Sequence, residues 1–168
     1  IINIKELKNF KIFQIVKFKK NKKNINDYQL SGLDFPDKLR VSENNDVRIL
    51  WIGPNNWLAL SATISLSEEI AKNLSNDEFA ITDLSHSKAI IELSGKNAKE
   101  VLKKGCPSNF NDININEVVN SIFNGIAVTI DFINDQPNKI RVMCLRSFGE
   151  SLYHSVTDAS LEFGYKAI

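Results

Sequence analysis

Two spacings of apolar residues run along this chain, one of period two and one near 3.6, and they sort it into strands and helices. Residues 12–18, IFQIVKF, are β-branched and aromatic and predict a strand. A lysine-rich run, KFKKNKK, follows, and INDYQLSGL then predicts a short helix ending near Gly32, with Pro36 beyond it as a breaker. Residues 47–53, VRILWIG, and the segment WLALSA predict a hairpin around the turn Gly53-Pro54-Asn55-Asn56. SLSEEIAKNL predicts a helix. Leu66, Ile70 and Leu74 recur on one face, and Ser65 with Glu68 fits a capping box. FAITDLS and AIIELSG predict strands, and GKNAKEVLKKG a short helix with Ala98, Val101 and Leu102 inward and Gly105 as its stop. VVNSIF and IAVTIDFI form a hairpin across Asn124-Gly125, and KIRVMCL is a further strand. The closing helix carries the stripe Phe148, Leu152, Val156, Ala159 and Phe163, a second capping box at Ser147 and Glu150, and Gly164 as its stop.

The order repeats. Each half runs strand, short helix, strands, capped helix, and the four prolines pair across the halves, Pro36 with Pro107 and Pro54 with Pro137. The expected fold class is therefore α+β, with duplicated strand and helix halves around mainly antiparallel sheets. The expected organisation is one domain over residues 1–168, with internal halves of about 1–80 and 81–168.

Composition narrows the function classes. With 43% hydrophobic and 24% charged residues the chain has the makeup of a folded domain. A net charge of +1 provides no field to steer it to nucleic acid or to a membrane surface. No apolar run has the length of a membrane helix, and charges interrupt the first segment too often for a signal-peptide core. The two cysteines, Cys106 and Cys144, do not make a disulfide framework, so a cytoplasmic location is expected. There is no Gly-x-Gly-x-x-Gly loop and no Cys-x-x-Cys pair.

Candidate chemistry concentrates in residues 83–107, DLSHSKAIIELSGKNAKEVLKKGCP. Asp83, Ser85 and His86 have the residue types of nucleophilic catalysis. Neighbours on a turn or strand rarely converge, however, and Asp83 or Ser85 can equally bond nearby backbone N–H groups. His86 reads either as a base or pterin ligand or as part of a structural turn. Cys106, between Gly105 and Pro107, reads as a reactive thiol or as a small buried residue. Trp51 and Trp57 flank the Gly53-Pro54 turn as hairpin core or as anchors on a partner. Arg146 reads as a clamp for a carboxylate, or as an ion-pair partner of Asp83 or another acid. Lys17, Lys19, Lys20, Lys22 and Lys23 fit a solvated loop or protected edge better than a nucleic-acid site, since only Phe18 interleaves with them.

Residues 83–107 resemble the gamma subunit of heterotetrameric sarcosine oxidase. RILWIGPNNWLAL, residues 48–60, resembles that family's Trp-Leu-Gly-Pro…Trp-Leu hairpin. LRSFGESLYHSVTDASLEFG, residues 145–164, resembles its closing helix. Ser108-Asn109, where the family continues with an apolar residue and Asp, departs from the pattern. The family is in turn similar to the folate-binding domain of the glycine cleavage T-protein, an aminomethyltransferase. The resemblance implies a non-catalytic subunit with no active site or cofactor of its own. It implies alpha, beta and delta-type partner subunits. These would demethylate sarcosine oxidatively to glycine and pass the one-carbon unit to tetrahydrofolate, using FAD, FMN, NAD and zinc. T-proteins handle the folate amine with a carboxylate on a Gly-rich hairpin. The corresponding SIFNGIAVTIDF has only Asp131, inside a strand. The alternative reading is a stand-alone folate-binding or aminomethyltransferase-like protein, and a homo-oligomer is a third.

Overall fold

The computed structural model describes all residues 1–168. In chain order its elements are strands β1 (Ile2–Leu7) and β2 (Lys11–Lys17), the short pair β3 (Gln29–Leu30) and β4 (Leu33–Asp34), then β5 (Val41–Glu43), β6 (Arg48–Gly53), β7 (Asn56–Ser61), helix α1 (Leu66–Asn73), β8 (Phe79–Asp83), β9 (Lys88–Ser94), helix α2 (Ala98–Lys103), β10 (Val118–Phe123), β11 (Ile126–Asp135), β12 (Asn138–Leu145), helix α3 (Gly149–Ser160) and β13 (Tyr165–Ala167).

They form two compact units. One is continuous, Asn9–Ser85. The other is split, built from Ile1–Lys8 and His86–Ile168. The sheet of the continuous unit has strand order β5-β6-β7-β2-β8, and that of the split unit β10-β11-β12-β9-β1-β13. Within the two orders, β5-β6-β7-β2 and β10-β11-β12-β9 are the same arrangement of equivalent strands, followed by α1 and α3 respectively. The strand beside β2 is β8, whereas the strand beside β9 is β1, from the start of the chain. All pairings are antiparallel except β1 with β13. The fold class is α+β with mainly antiparallel sheets.

Each unit has its own core. In the split unit Ile91, Leu93, Val128, Ile130, Phe132, Ile140 and Val142 line one sheet face, as period-two alternation requires, and Val101, Leu102, Leu152 and Val156 cover them from α2 and α3. In the continuous unit Phe13, Ile15, Ile49, Trp57 and Ala59 meet Leu66 and Ile70 of α1 and Leu74 just beyond it.

Several sequence expectations change. The helix expected over INDYQLSGL is a 3-10 turn, Ile25–Asp27, followed by the β3–β4 hairpin. Ser31 at φ 52° and Gly32 at φ 74° make that turn, so the segment reverses where a helix was expected to stop. Neither capping box forms. Ser65 makes no side-chain cap bond, and a 3-10 turn, Arg146–Phe148, displaces Ser147 from the cap of α3. Leu152 and Val156 are fully buried, whereas Phe148, expected in the same stripe, is exposed. Strands β1 and β13 lie outside the sequence expectations.

Candidate functional site

The Asp83–His86 turn is built for folding. The Ser85 backbone N–H donates to the Asp83 carboxylate at 2.9 Å, a two-residue turn bond of the kind Asp favours. The Ser85 hydroxyl, almost wholly buried, accepts from the Ile12 N–H at 3.0 Å and ties the turn to β2. His86 is exposed. A serine already accepting a buried backbone N–H is poorly placed to act as a nucleophile, so the turn reads as a strand connection.

The Gly105-Cys106-Pro107 segment is likewise packed. A β-carbon on Gly105 would lie 2.7 Å from the ring of Phe123, which is fully buried. Gly105 also accepts from the Asn124 N–H at 3.0 Å, so α2 and the β10–β11 turn close on each other there. Cys106 is buried, and that burial pushes its thiol up to about 11 against the opposing hydrogen bond from Ser121. Burial also raises Cys144, with Lys88 opposing. Pro107 is exposed. Neither cysteine of the native protein is expected to react with a disulfide reagent at pH 8, and both should react once it is unfolded. Rapid labelling of Cys106 in the folded chain would overturn this. The linkage has a definite sign. Below the ordinary thiol value of 9.0 the Cys106 contribution to stability is fully present, and it is lost as pH rises towards 11, because the unfolded chain ionises first.

The tryptophan hairpin belongs to the continuous unit. Trp51 and Trp57 are paired across β6 and β7. Trp57 is buried, its indole N–H donates to the Pro36 carbonyl at 3.0 Å, and it meets Phe35 edge-on at 5.2 Å. Trp51 is half-buried. Asn55, at φ 54°, carries the left-handed position of the turn, which leaves Gly53 and Pro54 in ordinary backbone space. The lysine-rich run folds back onto its own unit. Lys17 Nζ donates to the Asn21 carbonyl at 2.6 Å, and Lys23 pairs with Glu78 at 2.7 Å. That hydrogen bond raises Lys23 and lowers Glu78.

The β10–β11 hairpin turns through Asn124 and Gly125, both at positive φ. Asp131 lies inside β11 with no exposed surface, opposite Arg141 of β12, whose Nε holds Glu92 of β9 at 3.0 Å. These charges form a row across three strands.

An open concavity of the split unit lies elsewhere. It is a cleft of about 430 Å³ between α3 and the strands β9, β1 and β13. Ile4, Ala89 and Ile91 supply its apolar wall, and Arg146, Glu150 and Tyr153 its polar one. Arg146 sits in the 3-10 turn before α3. Its backbone N–H donates to Ser87 at 2.8 Å, and its Nη2 reaches the Lys88 carbonyl at 3.4 Å. The structure thus brings Arg146 next to the segment that follows His86. No three His, Cys, Asp or Glu side chains converge as metal ligands. No helix is long and apolar enough to cross a membrane.

Residues 23–162 match the family model described as the sarcosine oxidase, gamma subunit family. The chain belongs to that family. A curated relative, sarcosine oxidase subunit gamma of Corynebacterium sp. strain P-1, is 28% identical over 123 residues, covering 71% of this chain and 60% of the relative. This gamma-family chain therefore spans about three fifths of that relative's length. The fold is similar to a chain of the heterotetrameric sarcosine oxidase of Corynebacterium sp. U-96, with a TM-score of 0.81 at 18% identity, over 99% of this chain and 87% of that one. It is also similar to the glycine cleavage system aminomethyltransferase T of Bartonella henselae, with a TM-score of 0.68 at 11% identity, over 99% of this chain and 47% of that one. The three segments singled out in the sequence thus point to the family the comparisons give. The cleft at Arg146 is what sequence reasoning missed. Its walls come from segments far apart in the chain, which the β9–β12, β1–β9 and β1–β13 pairings unite.

Proposed function

We propose that this chain is a non-catalytic structural subunit of a sarcosine oxidase complex working in the cytoplasm. The match to the gamma subunit family over residues 23–162 carries the reading. In that complex alpha, beta and delta-type subunits hold FAD, FMN, NAD, tetrahydrofolate and zinc. They convert sarcosine to glycine and pass its one-carbon unit to tetrahydrofolate. The gamma-type chain supports them by burying surface against them. Its own residues fit that role. Asp131, the one acid in SIFNGIAVTIDF, the segment that corresponds to the catalytic hairpin of T-proteins, has no exposed surface to offer a ligand. Ser85 and Cys106 are buried as well.

The test is co-expression with the large flavin- and folate-type subunits. The chain is expected to co-elute with them at fixed stoichiometry, with flavin absorbance in the complex and none in the isolated chain. A chain that stays monomeric beside those subunits would overturn the proposal. Heat of tetrahydrofolate binding to the isolated chain would instead favour the stand-alone folate reading.

A further inference from the structure

The corner between β12 and α3 is built against its own pattern. Leu145 and Phe148 are about half exposed, 51% and 48%, although both are large and apolar. Phe148 falls on the helical repeat of Leu152 and Val156, yet the 3-10 turn rotates it out of the core. The four residues from Leu145 to Phe148 are all exposed. Arg146 lies between the two in sequence and lines the cleft. Leu145 pairs with Lys88 across β12 and β9, and exposed His86 lies two residues before Lys88. The corner therefore joins two apolar side chains to an arginine, a lysine and a histidine. The acids on the cleft rim each have a basic residue as neighbour: Lys8 lies 3.5 Å from Glu6, and His154 lies 3.7 Å from Glu150. Arg146 has a long contact to one carbonyl, and an exposed guanidinium carries five donors. Aromatic residues and arginine are the side chains enriched at the centres of protein interfaces.

We propose that the Leu145–Phe148 corner and the adjoining cleft are a docking surface for a partner subunit of the complex, which presents an apolar side chain next to an acidic one. The apolar group packs on exposed Leu145 and Phe148, and the carboxylate takes the guanidinium of Arg146, which lines the cleft, in a two-bond fork. This rests on the subunit reading above and adds to it the face used and the charge of what meets it.

The experiment compares capture of the wild-type chain by the co-expressed large subunits with capture of Phe148→Ser, Arg146→Glu and Arg146→Lys. Ile122→Ser, another exposed apolar residue, is the control. Thermal unfolding of each isolated chain checks folding. Because Arg146 is exposed, its variants keep the test alive if Phe148→Ser is poorly folded. The expected result is binding at least about 30-fold weaker for Phe148→Ser and Arg146→Glu. Arg146→Lys should fall between them and the wild type, and the control should stay close to the wild type. Folded Phe148→Ser and Arg146→Glu chains that bind as tightly as the wild type would overturn the docking surface and leave the subunit reading intact. Failure of the wild type itself to be captured would overturn both. A dimer of the isolated chain that Phe148→Ser abolishes would assign the corner to a second copy and overturn the proposal.

Discussion

Replacing Ile2 and Ile4 together with alanine is expected to unfold the split unit under conditions where the unaltered chain is folded. Both side chains are buried, Ile2 at 0% and Ile4 at 1% exposure, in the core that α2 and α3 cover. Truncation of a buried isoleucine to alanine costs about 2–5 kcal/mol, part lost transfer energy and part cavity. Two such losses compare with the roughly 5–15 kcal/mol that separates a native domain from its unfolded state. The strand has no substitute. β1 pairs with β9 on one side and β13 on the other, and its ends are held by bonds from the Ile2 N–H to the Gly164 carbonyl at 2.8 Å and from the Ile168 N–H to the Ile4 carbonyl at 3.0 Å. Hydrogen exchange read at the β9 amides measures the effect. Protection there equal to the wild type would show that β1 is dispensable.

The second large effect is expected at Gly105. An alanine there drives its β-carbon to 2.7 Å from the Phe123 ring and 2.9 Å from Asn124 Oδ1. The ring cannot swing into solvent, because Phe123 is fully enclosed. Overpacking of this kind costs about 1–3 kcal/mol. Gly105→Ala combined with Phe123→Leu should cost less than the sum of the two single changes, because the smaller side chain vacates the contact, and contacting residues couple by about 0.5–3 kcal/mol. Urea denaturation of the four chains gives the coupling. Simple additivity would move the reason for Gly105 from packing to backbone conformation.

The fold was legible where local rules and tertiary pairing agree. The Gly53–Asn56 and Asn124-Gly125 turns join the strands they were expected to join. Leu66 and Ile70 form the buried side of α1, and Leu74 is buried just past its end. It was not legible where long-range pairing decides. β13 is a three-residue strand, wholly exposed, so it carries no alternation to read. β1 has only Ile2 and Ile4 facing the core, and lysine and glutamate follow them. The Ser31-Gly32 turn was the available signal that residues 25–33 reverse, and the expectation of a helix overrode it. Ser147 does not cap α3, because the Arg146 N–H is held on the Ser87 carbonyl just before β9 and residues 146–148 form a 3-10 turn.

The candidate site divides the same way. Residue types marked Asp83, Ser85 and His86, but types do not show direction. The Ser85 hydroxyl proves to be joined to β2. Residue type marks Arg146 as a carboxylate clamp or an ion-pair partner of an acid, and the helical repeat marks Phe148 as core. Only the path of the chain around that corner shows that both face outward beside a cleft.

The place of β1 also sets a schedule for synthesis. The continuous unit, Asn9–Ser85, holds all of its strands in one stretch and can close as soon as that stretch is made. β1 emerges before that stretch but meets β9 only after it, and it meets Tyr165–Ala167 later still. At roughly 5–20 residues per second, the first strand waits on the order of ten seconds for its final neighbour. During that interval Ile2 and Ile4 belong to an unpaired segment open to other strands. A strand made before the continuous unit thus finds its place only after that unit is complete.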